Sequence, residues 1–113
     1  MPRVKKTYTK DELLNILQTL QKELKDKMMV IPMSEKDLYF SLGKQFVYDN
    51  AAANLEKGTS MAEIKSDLAH MEDDSRKRLE TIDEKETVFD YFTGKAFAAM
   101  TTRCFIQRIR VEE

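Results

Sequence analysis

Residues 87–110 form the most apolar long segment of the chain and constrain its fold more than any other stretch. The segment holds half of the aromatic residues (the chain has four Tyr and six Phe), together with Ala96, Ala98, Ala99 and Ile106. Apolar side chains fall on nearly every side of a helix drawn over it, and such a helix has to be surrounded by other elements. We therefore predict a central helix over 87–110.

The composition around this segment favours an all-α fold. Of 113 residues only three are Gly and two are Pro, while the helix formers Leu, Lys, Glu, Ala and Met are plentiful. A chain of this length has one core. We predict a single domain over residues 1–113, an antiparallel bundle of four helices, or three if helices 3 and 4 form one long bent helix. A short basic arm, residues 1–8, precedes it, and no internal repeat is evident.

Capping signals define three helix starts. Thr9 with Glu12 and Ser60 with Glu63 have the spacing of a capping box, in which a side-chain oxygen accepts a hydrogen bond from a backbone N–H of the first turn. Ser34 is a third N-cap. These signals predict helices that start at residues 10, 35 and 61, with the first ending near residue 28.

The connections are less sharply marked. The apolar run Met29–Met33 contains Pro32, which disfavours helix just before it, so we expect an extended, buried crossing there. Gly58 suits a left-handed cap at the end of helix 2. Asp83 with Glu86 has the spacing of a fourth capping box, on which we place a helix break near residue 83.

Charge is distributed unevenly along the chain despite a net charge of −1. Residues 1–28 and 95–113 carry an excess of bases, and residues 59–94 an excess of acids. This balance does not imply general attraction to nucleic acid or to an anionic membrane. Eleven of the fifteen residues 72–86 are charged, which is typical of a solvated helix face with i,i+4 ion pairs, the alternative being a flexible linker.

The one cysteine and the N-terminus bear on location. Cys104 lies in the apolar segment, where a lone thiol usually acts as a small buried apolar group, and a reducing cytoplasm fits it best. No apolar stretch follows the basic N-terminus, and the run Met28–Met33 is far too short to span a membrane. We expect a cytoplasmic protein with no membrane segment.

A polar stripe on helix 3 is the best candidate for metal or catalytic chemistry. Glu63, Asp67, His70 and Asp74 fall on one helix face. A di-metal carboxylate bundle needs a histidine on each of two helices, and this chain has one, so Asp67 with His70 would require a dimer axis to complete a site. Cys104 and His70 lie in different environments. We expect a solvated face, with no metal, no cofactor and no enzymatic activity.

Two groups of polar and basic residues are candidate contacts for nucleic acid or a protein partner. They are Arg3, Lys5, Lys6 and Lys10 in the N-terminal arm, and Arg103, Gln107 and Arg110 as a stripe at the end of the central helix. Basic residues also complement the dipole at a helix C-terminus, and they pair equally well with the acidic segment of another copy.

Gly94 and Ala98 are candidates for self-association. They lie one turn apart in the central helix, where another backbone can approach closely, either that of helix 2 through residues 51–53 or that of a second copy. Leu38, Leu42 and Phe46 share one face of helix 2.

The number of apolar side chains also bears on function. Seven Met and ten aromatic residues exceed what one small core hides. We therefore expect a non-enzymatic cytoplasmic interaction or regulatory protein that binds a protein partner and forms a homo-oligomer. Small accessory proteins or inhibitors of phages and mobile elements are of this size and class. The alternative is a nucleic-acid-binding accessory protein.

Overall fold

The structure is a computed structural model, and it describes residues 6–30 and 32–113. Its elements are β1 Thr7–Thr9, α1 Lys10–Val30, α2 Glu35–Glu56, α3 Met61–Leu79, α4 Thr87–Gln107 and β2 Arg110–Glu112. The prediction of a mostly helical fold with packing between helices is confirmed. Helices α3 and α4 are separate, because residues 80–86 are not helical. The two short strands were not predicted.

The predicted helix starts are confirmed by their hydrogen bonds. The Thr9 hydroxyl accepts from the backbone N–H of Glu12 at 3.1 Å, and the Glu12 carboxylate accepts from the backbone N–H of Thr9 at 3.1 Å. Ser34 and Ser60 each accept from the backbone N–H three residues further on, at 3.2 Å. Gly58 ends α2 with a φ of 80°, the left-handed conformation predicted for it.

The predicted buried crossing at Met29–Met33 is wrong. Helix α1 continues to Val30, and the side chains of Met29 and Val30 are 85 % and 78 % exposed. Pro32 restricts the residue before it but does not prevent helix as far as Val30. Ile31 lies outside the described residues.

The capping box predicted at Asp83 and Glu86 does not form. Glu86 is the N-cap residue of α4, and its side chain makes no capping hydrogen bond. The carboxylate of Asp83 accepts instead from the backbone N–H of Lys85 at 2.8 Å, inside the turn. A helix break does lie around residue 83, but α4 begins without a side-chain cap.

Strands β1 and β2 pair in parallel and join the two ends of the chain. The pairs are Thr7 with Arg110, Tyr8 with Val111 and Thr9 with Glu112. Helix α4 therefore ends at Gln107, before the predicted limit of residue 110. Residues 6–8 of the predicted basic arm belong to the fold, and residues 1–5 lie outside the described part. The carboxylate of Glu113 then accepts from the backbone N–H of Met61, the first residue of α3, at 2.9 Å.

Helices α2 and α4 form the closest helix pair. A Cβ atom on Gly43 would overlap the carbonyl oxygen of Tyr91, and one on Gly94 would overlap that of Phe40. Lys36 pairs with Asp90 near the start of the two helices, at 3.1 Å. Their later turns also share a cavity wall, so α2 and α4 run in the same direction. Only glycine allows two helix backbones to approach this closely.

The crossing reveals an internal repeat, although none is expected from the sequence. Gly43-Lys44 and Gly94-Lys95 are each followed by an aromatic residue, Phe46 and Phe97, with 51 residues between equivalent positions. The same spacing relates the N-caps Thr9 and Ser60 and two pairs of fully buried residues, Leu13 with Ile64 and Leu17 with Leu68. The contacts are reciprocal as well, since each glycine meets the residue three positions before the other. The Gly-Lys segments of α2 and α4 therefore occupy equivalent positions at the crossing.

Candidate functional site

Four large apolar residues lie exposed on one face of α2. Leu38, Tyr39, Leu42 and Phe46 are 36 %, 38 %, 36 % and 43 % exposed. Their spacing of three and four residues places them side by side along the helix. We call this row the α2 outer face. The row includes Leu38, Leu42 and Phe46, which the sequence pattern groups on one face of helix 2. This predicted face therefore faces solvent.

The packing of α2 explains why this face is open. Gly43, Val47 and Ala51 are buried, and the backbone around Gly43 is in contact with α4. Ser41 and Tyr48 are buried on the side towards α1, where Tyr48 and Leu20 of α1 line the same two cavities. Because both flanks of α2 are occupied, the remaining face is left open to solvent, and Lys95 of α4 approaches it only at Phe46 within the described part of the chain.

Aromatic rings and lysines flank the crossing on both sides. The Lys95 ammonium lies 4.3 Å from the centre of the Phe46 ring, at the edge of the α2 outer face. On the other side the Lys44 ammonium lies 5.8 Å from the rings of both Phe40 and Phe97. Burial lowers the pKa of Lys95 and of Lys44. These cation–π contacts hold the side chains of the two helices in place around the glycines.

Acidic residues accompany the α2 outer face. Glu35, Asp49 and Glu56 are exposed on the same helix, beyond and beside the apolar row. The carboxylate of Asp49 accepts a hydrogen bond from the Gln21 side chain of α1 at 2.6 Å. Lys95 is a basic residue at the other edge. The face is thus an apolar strip with acidic neighbours along α2.

Gly94 and Ala98, the predicted self-association residues, are used inside the chain. Gly94 lies against the backbone of Phe40, and Ala98 is fully buried. Helix α2 is the close neighbour, which agrees with one of the two predicted alternatives. The backbone contact lies at Phe40 and Gly43, however, rather than at residues 51–53. A second copy therefore has no access to these two residues.

The structure places the predicted basic contacts in different surroundings. Arg103 donates to the Glu72 carboxylate at 2.8 Å, and Lys10 donates to the backbone carbonyl of Thr59 at 3.1 Å. Gln107 is exposed at the end of α4, while Arg110 lies in β2, so the predicted helical stripe is interrupted. The backbone N–H of Arg110 donates to the carbonyl of Lys6 at 2.9 Å, which brings these two basic residues together. Arg3 and Lys5 lie outside the described residues.

The i,i+4 ion pairs expected over residues 72–86 are present on α3, but the burial of Glu72 was not predicted. Glu72 is buried, and its two carboxylate oxygens accept from Arg103 at 2.8 Å and from Arg76 at 2.9 Å. The neighbouring pairs Asp73–Lys77 and Asp74–Arg78 are exposed, as expected for a solvated charged face. Glu72 lies four residues after Leu68 and three before Ser75, both of which are buried, and this spacing is the signal in the sequence that separates it from its neighbours.

The polar stripe of α3 is exposed at all four positions, Glu63, Asp67, His70 and Asp74. Within residues 6–30 and 32–113, no three His, Cys, Asp or Glu side chains come together as a metal-binding group. Cys104 is only half-buried, which differs from the buried position expected for it.

Comparison with known proteins finds no match to a protein-family model, to a curated protein or to a solved structure. Among the helices described, none has both the length and the apolar character needed to cross a membrane.

Proposed function

We propose that this protein is a four-helix bundle in which consecutive helices run antiparallel, and that it acts in the cytoplasm as a non-enzymatic interaction or regulatory protein. In this proposal it binds a protein partner through the α2 outer face. The observation that carries the proposal is the row Leu38, Tyr39, Leu42 and Phe46, each more than a third exposed on one face of one helix. Exposed apolar residues that are scattered singly need no explanation, whereas a contiguous row rimmed by polar residues is typical of a binding surface.

The composition of the row supports protein binding. Tyr and Phe are enriched in the centres of protein interfaces, where a large ring buries much area and loses little rotamer freedom. The ring of Phe46 is already held by Lys95 at 4.3 Å, so its ordering is partly complete before a partner arrives.

The charges beside the row indicate the partner's chemistry. Glu35, Asp49 and Glu56 favour a partner with basic residues next to its apolar contacts. A helix packs along another helix when each offers an apolar stripe. We therefore propose that the partner presents an amphipathic helix whose apolar stripe is flanked by basic residues. The target of an accessory or inhibitor protein would offer such a helix.

A second copy of the chain is the other occupant, and it would make the homo-oligomer expected from the sequence. Two α2 outer faces would bring like acidic flanks close together, which opposes pairing. Light scattering after size-exclusion chromatography over a range of concentrations separates this outcome from a monomer that binds a different protein.

Site-specific photo-crosslinking in the source cells tests the proposal. A photoreactive amino acid replaces Leu42 in the α2 outer face, and the matched control replaces Lys25, which is exposed on α1. We expect a discrete protein adduct from position 42 that disappears when Phe46→Glu is added, and no such adduct from position 25. The same adducts from both positions, or none from position 42, would refute the proposal.

A nucleic-acid-binding role remains the second candidate, and one observation favours it. The β1–β2 pairing brings Lys6 beside Arg110. Glu112 and Glu113 lie in the same region and oppose binding to phosphate. Binding of a labelled oligonucleotide that weakens with salt, and weakens further in Lys6→Gln with Arg110→Gln, would support this role. Binding that is insensitive to both variants would exclude this surface.

A further inference from the structure

Two cavities adjoin each other beside α1 and α2. The first has a volume of about 240 Å³ and is lined by apolar residues of α1, by Tyr48 of α2 and by Thr102 and Phe105 of α4. The second has a volume of about 230 Å³ and opens between α1 and α2. Leu20 and Tyr48 line both cavities, so the two meet at these side chains. This region lies on the flank of α2 that faces α1 and is separate from the α2 outer face.

The first cavity is suited to an apolar group. Leu13 and Leu17, which are fully buried, form its floor with Phe105. An apolar cavity of about 150 Å³ accepts benzene in another protein, so about 240 Å³ accepts a ring with a short extension or a chain of about eight carbons. Burial raises the pKa of the Tyr48 phenol, which therefore remains a neutral hydrogen-bond donor at the boundary of the two cavities.

The second cavity is basic. Lys27 and Lys44 both line it, and the described lining residues also include Glu23. Among the described residues, no carboxylate oxygen lies within 4.0 Å of the ammonium nitrogen of Lys27 or of Lys44, so neither lysine forms an ion pair. The pKa of Lys44 is lowered by burial and, to a smaller degree, by repulsion from the charge of Lys27. An anion placed between them would relieve that repulsion.

We propose that the two cavities together form a binding site for an amphiphilic monocarboxylate, a compound with one carboxylate and an alkyl or aryl tail. The tail occupies the apolar cavity beneath Tyr48, and the carboxylate lies between Lys27 and Lys44. Each cavity supplies what the other lacks, since apolar walls give affinity and the charged groups fix the orientation of the ligand. The phenol of Tyr48 donates a hydrogen bond to the head group at the boundary.

Isothermal titration calorimetry with octanoate tests the site on the whole chain. We expect saturable binding of one octanoate per chain. 1-Octanol, which keeps the tail but lacks the charge, should bind at least about tenfold more weakly, because a hydrogen bond to a charged group is stronger than one to a neutral group. Acetate, which lacks the tail, should not bind measurably. Equal affinity for octanoate and 1-octanol, or no binding of octanoate up to about 2 mM, would overturn the proposal.

Three lysine variants locate the site. Lys44→Gln and Lys27→Gln should each weaken octanoate binding at least about fivefold. Lys95→Gln is the matched control, because Lys95 occupies the equivalent position in the second half of the chain and makes the same kind of contact with two aromatic rings. It should change the affinity less than about twofold. Lys27 is exposed, so its variant keeps the fold even if Lys44→Gln unfolds. An equal loss in Lys95→Gln, or no loss in Lys27→Gln, would show that the carboxylate does not bind here.

Discussion

Gly94 lies directly against the carbonyl group of Phe40, so that α4 and α2 are in backbone contact at this point. The equivalent contact joins Gly43 to the carbonyl of Tyr91. Together they fix which side of α2 is buried, and consequently which side carries the exposed row from Leu38 to Phe46.

Gly94→Ala should destabilise the protein although alanine is the better helix former. Helix propensity favours alanine by about 1 kcal/mol, but overpacking a close contact costs about 1–3 kcal/mol, and here the obstacle is backbone that has no rotamer to change. We expect a net fall in the free energy of unfolding, and a larger one for Gly94→Leu, measured by urea denaturation. The control is Ala69→Leu on the exposed side of α3. If Gly94→Ala is as stable as the natural protein, the helices are further apart than described.

A buried and an exposed carboxylate on α3, each in an ion pair, give a matched comparison. Glu72→Gln removes a charge that is buried and paired with two arginines, and we expect it to cost about 1–3 kcal/mol. Asp73→Asn breaks a pair whose side chains are both more than two-thirds exposed, and it should cost less than about 0.5 kcal/mol. Chemical denaturation of both variants gives the difference. Equal costs would mean that Glu72 is as solvated as its neighbour.

The helix caps predict a clear loss of stability for one substitution to alanine and a much smaller loss for another. Ser60→Ala removes the acceptor for the backbone N–H of Glu63 and should cost about 1 kcal/mol. Glu86→Ala removes a side chain that makes no capping hydrogen bond at the start of α4, and its effect should be below about 0.5 kcal/mol. Thermal unfolding of the two variants measures both effects. A larger loss in Glu86→Ala would reverse the assignment of the caps.

His70→Gln should leave the protein unchanged. His70 is exposed on α3, where substitutions without special contacts change stability by less than about 0.5 kcal/mol. Melting temperature and metal content after purification check this. Stoichiometric metal that is lost in His70→Gln would mean that copies of the chain assemble a site that one copy does not contain.

Local signals in the sequence predicted the helices well, and contacts between distant residues account for the errors. Thr9, Ser34, Ser60 and Gly58 act on their own neighbours, so their effects can be read without the rest of the chain. The pairing of β1 with β2 depends on the two ends of the chain meeting, and no local pattern announces it. Met29 and Val30 are apolar but exposed, so their hydropathy wrongly predicts that they are buried.

The candidate site was predicted only in part. The sequence groups Leu38, Leu42 and Phe46 on one face, but it does not say that this face is the one left open. That follows from Gly43, whose contact with α4 turns the other flank inward. The spacing of 51 residues between the two Gly-Lys pairs was present in the sequence, and it becomes meaningful once the crossing shows that the pairs meet.

The affinity of the cross-linked partner for the Phe46→Glu variant, compared with its affinity for the natural protein, tests the central claim most directly. Phe46 is the most exposed residue of the α2 outer face, so the variant should remain folded, with a modest fall in melting temperature from the lost contact with Lys95. An aromatic side chain that a partner buries is worth about 2 kcal/mol or more where it acts as an anchor, and we therefore predict a loss of affinity of about 30-fold or more by calorimetry or surface plasmon resonance. An unchanged affinity for a folded Phe46→Glu protein would contradict the claim that the α2 outer face binds the partner.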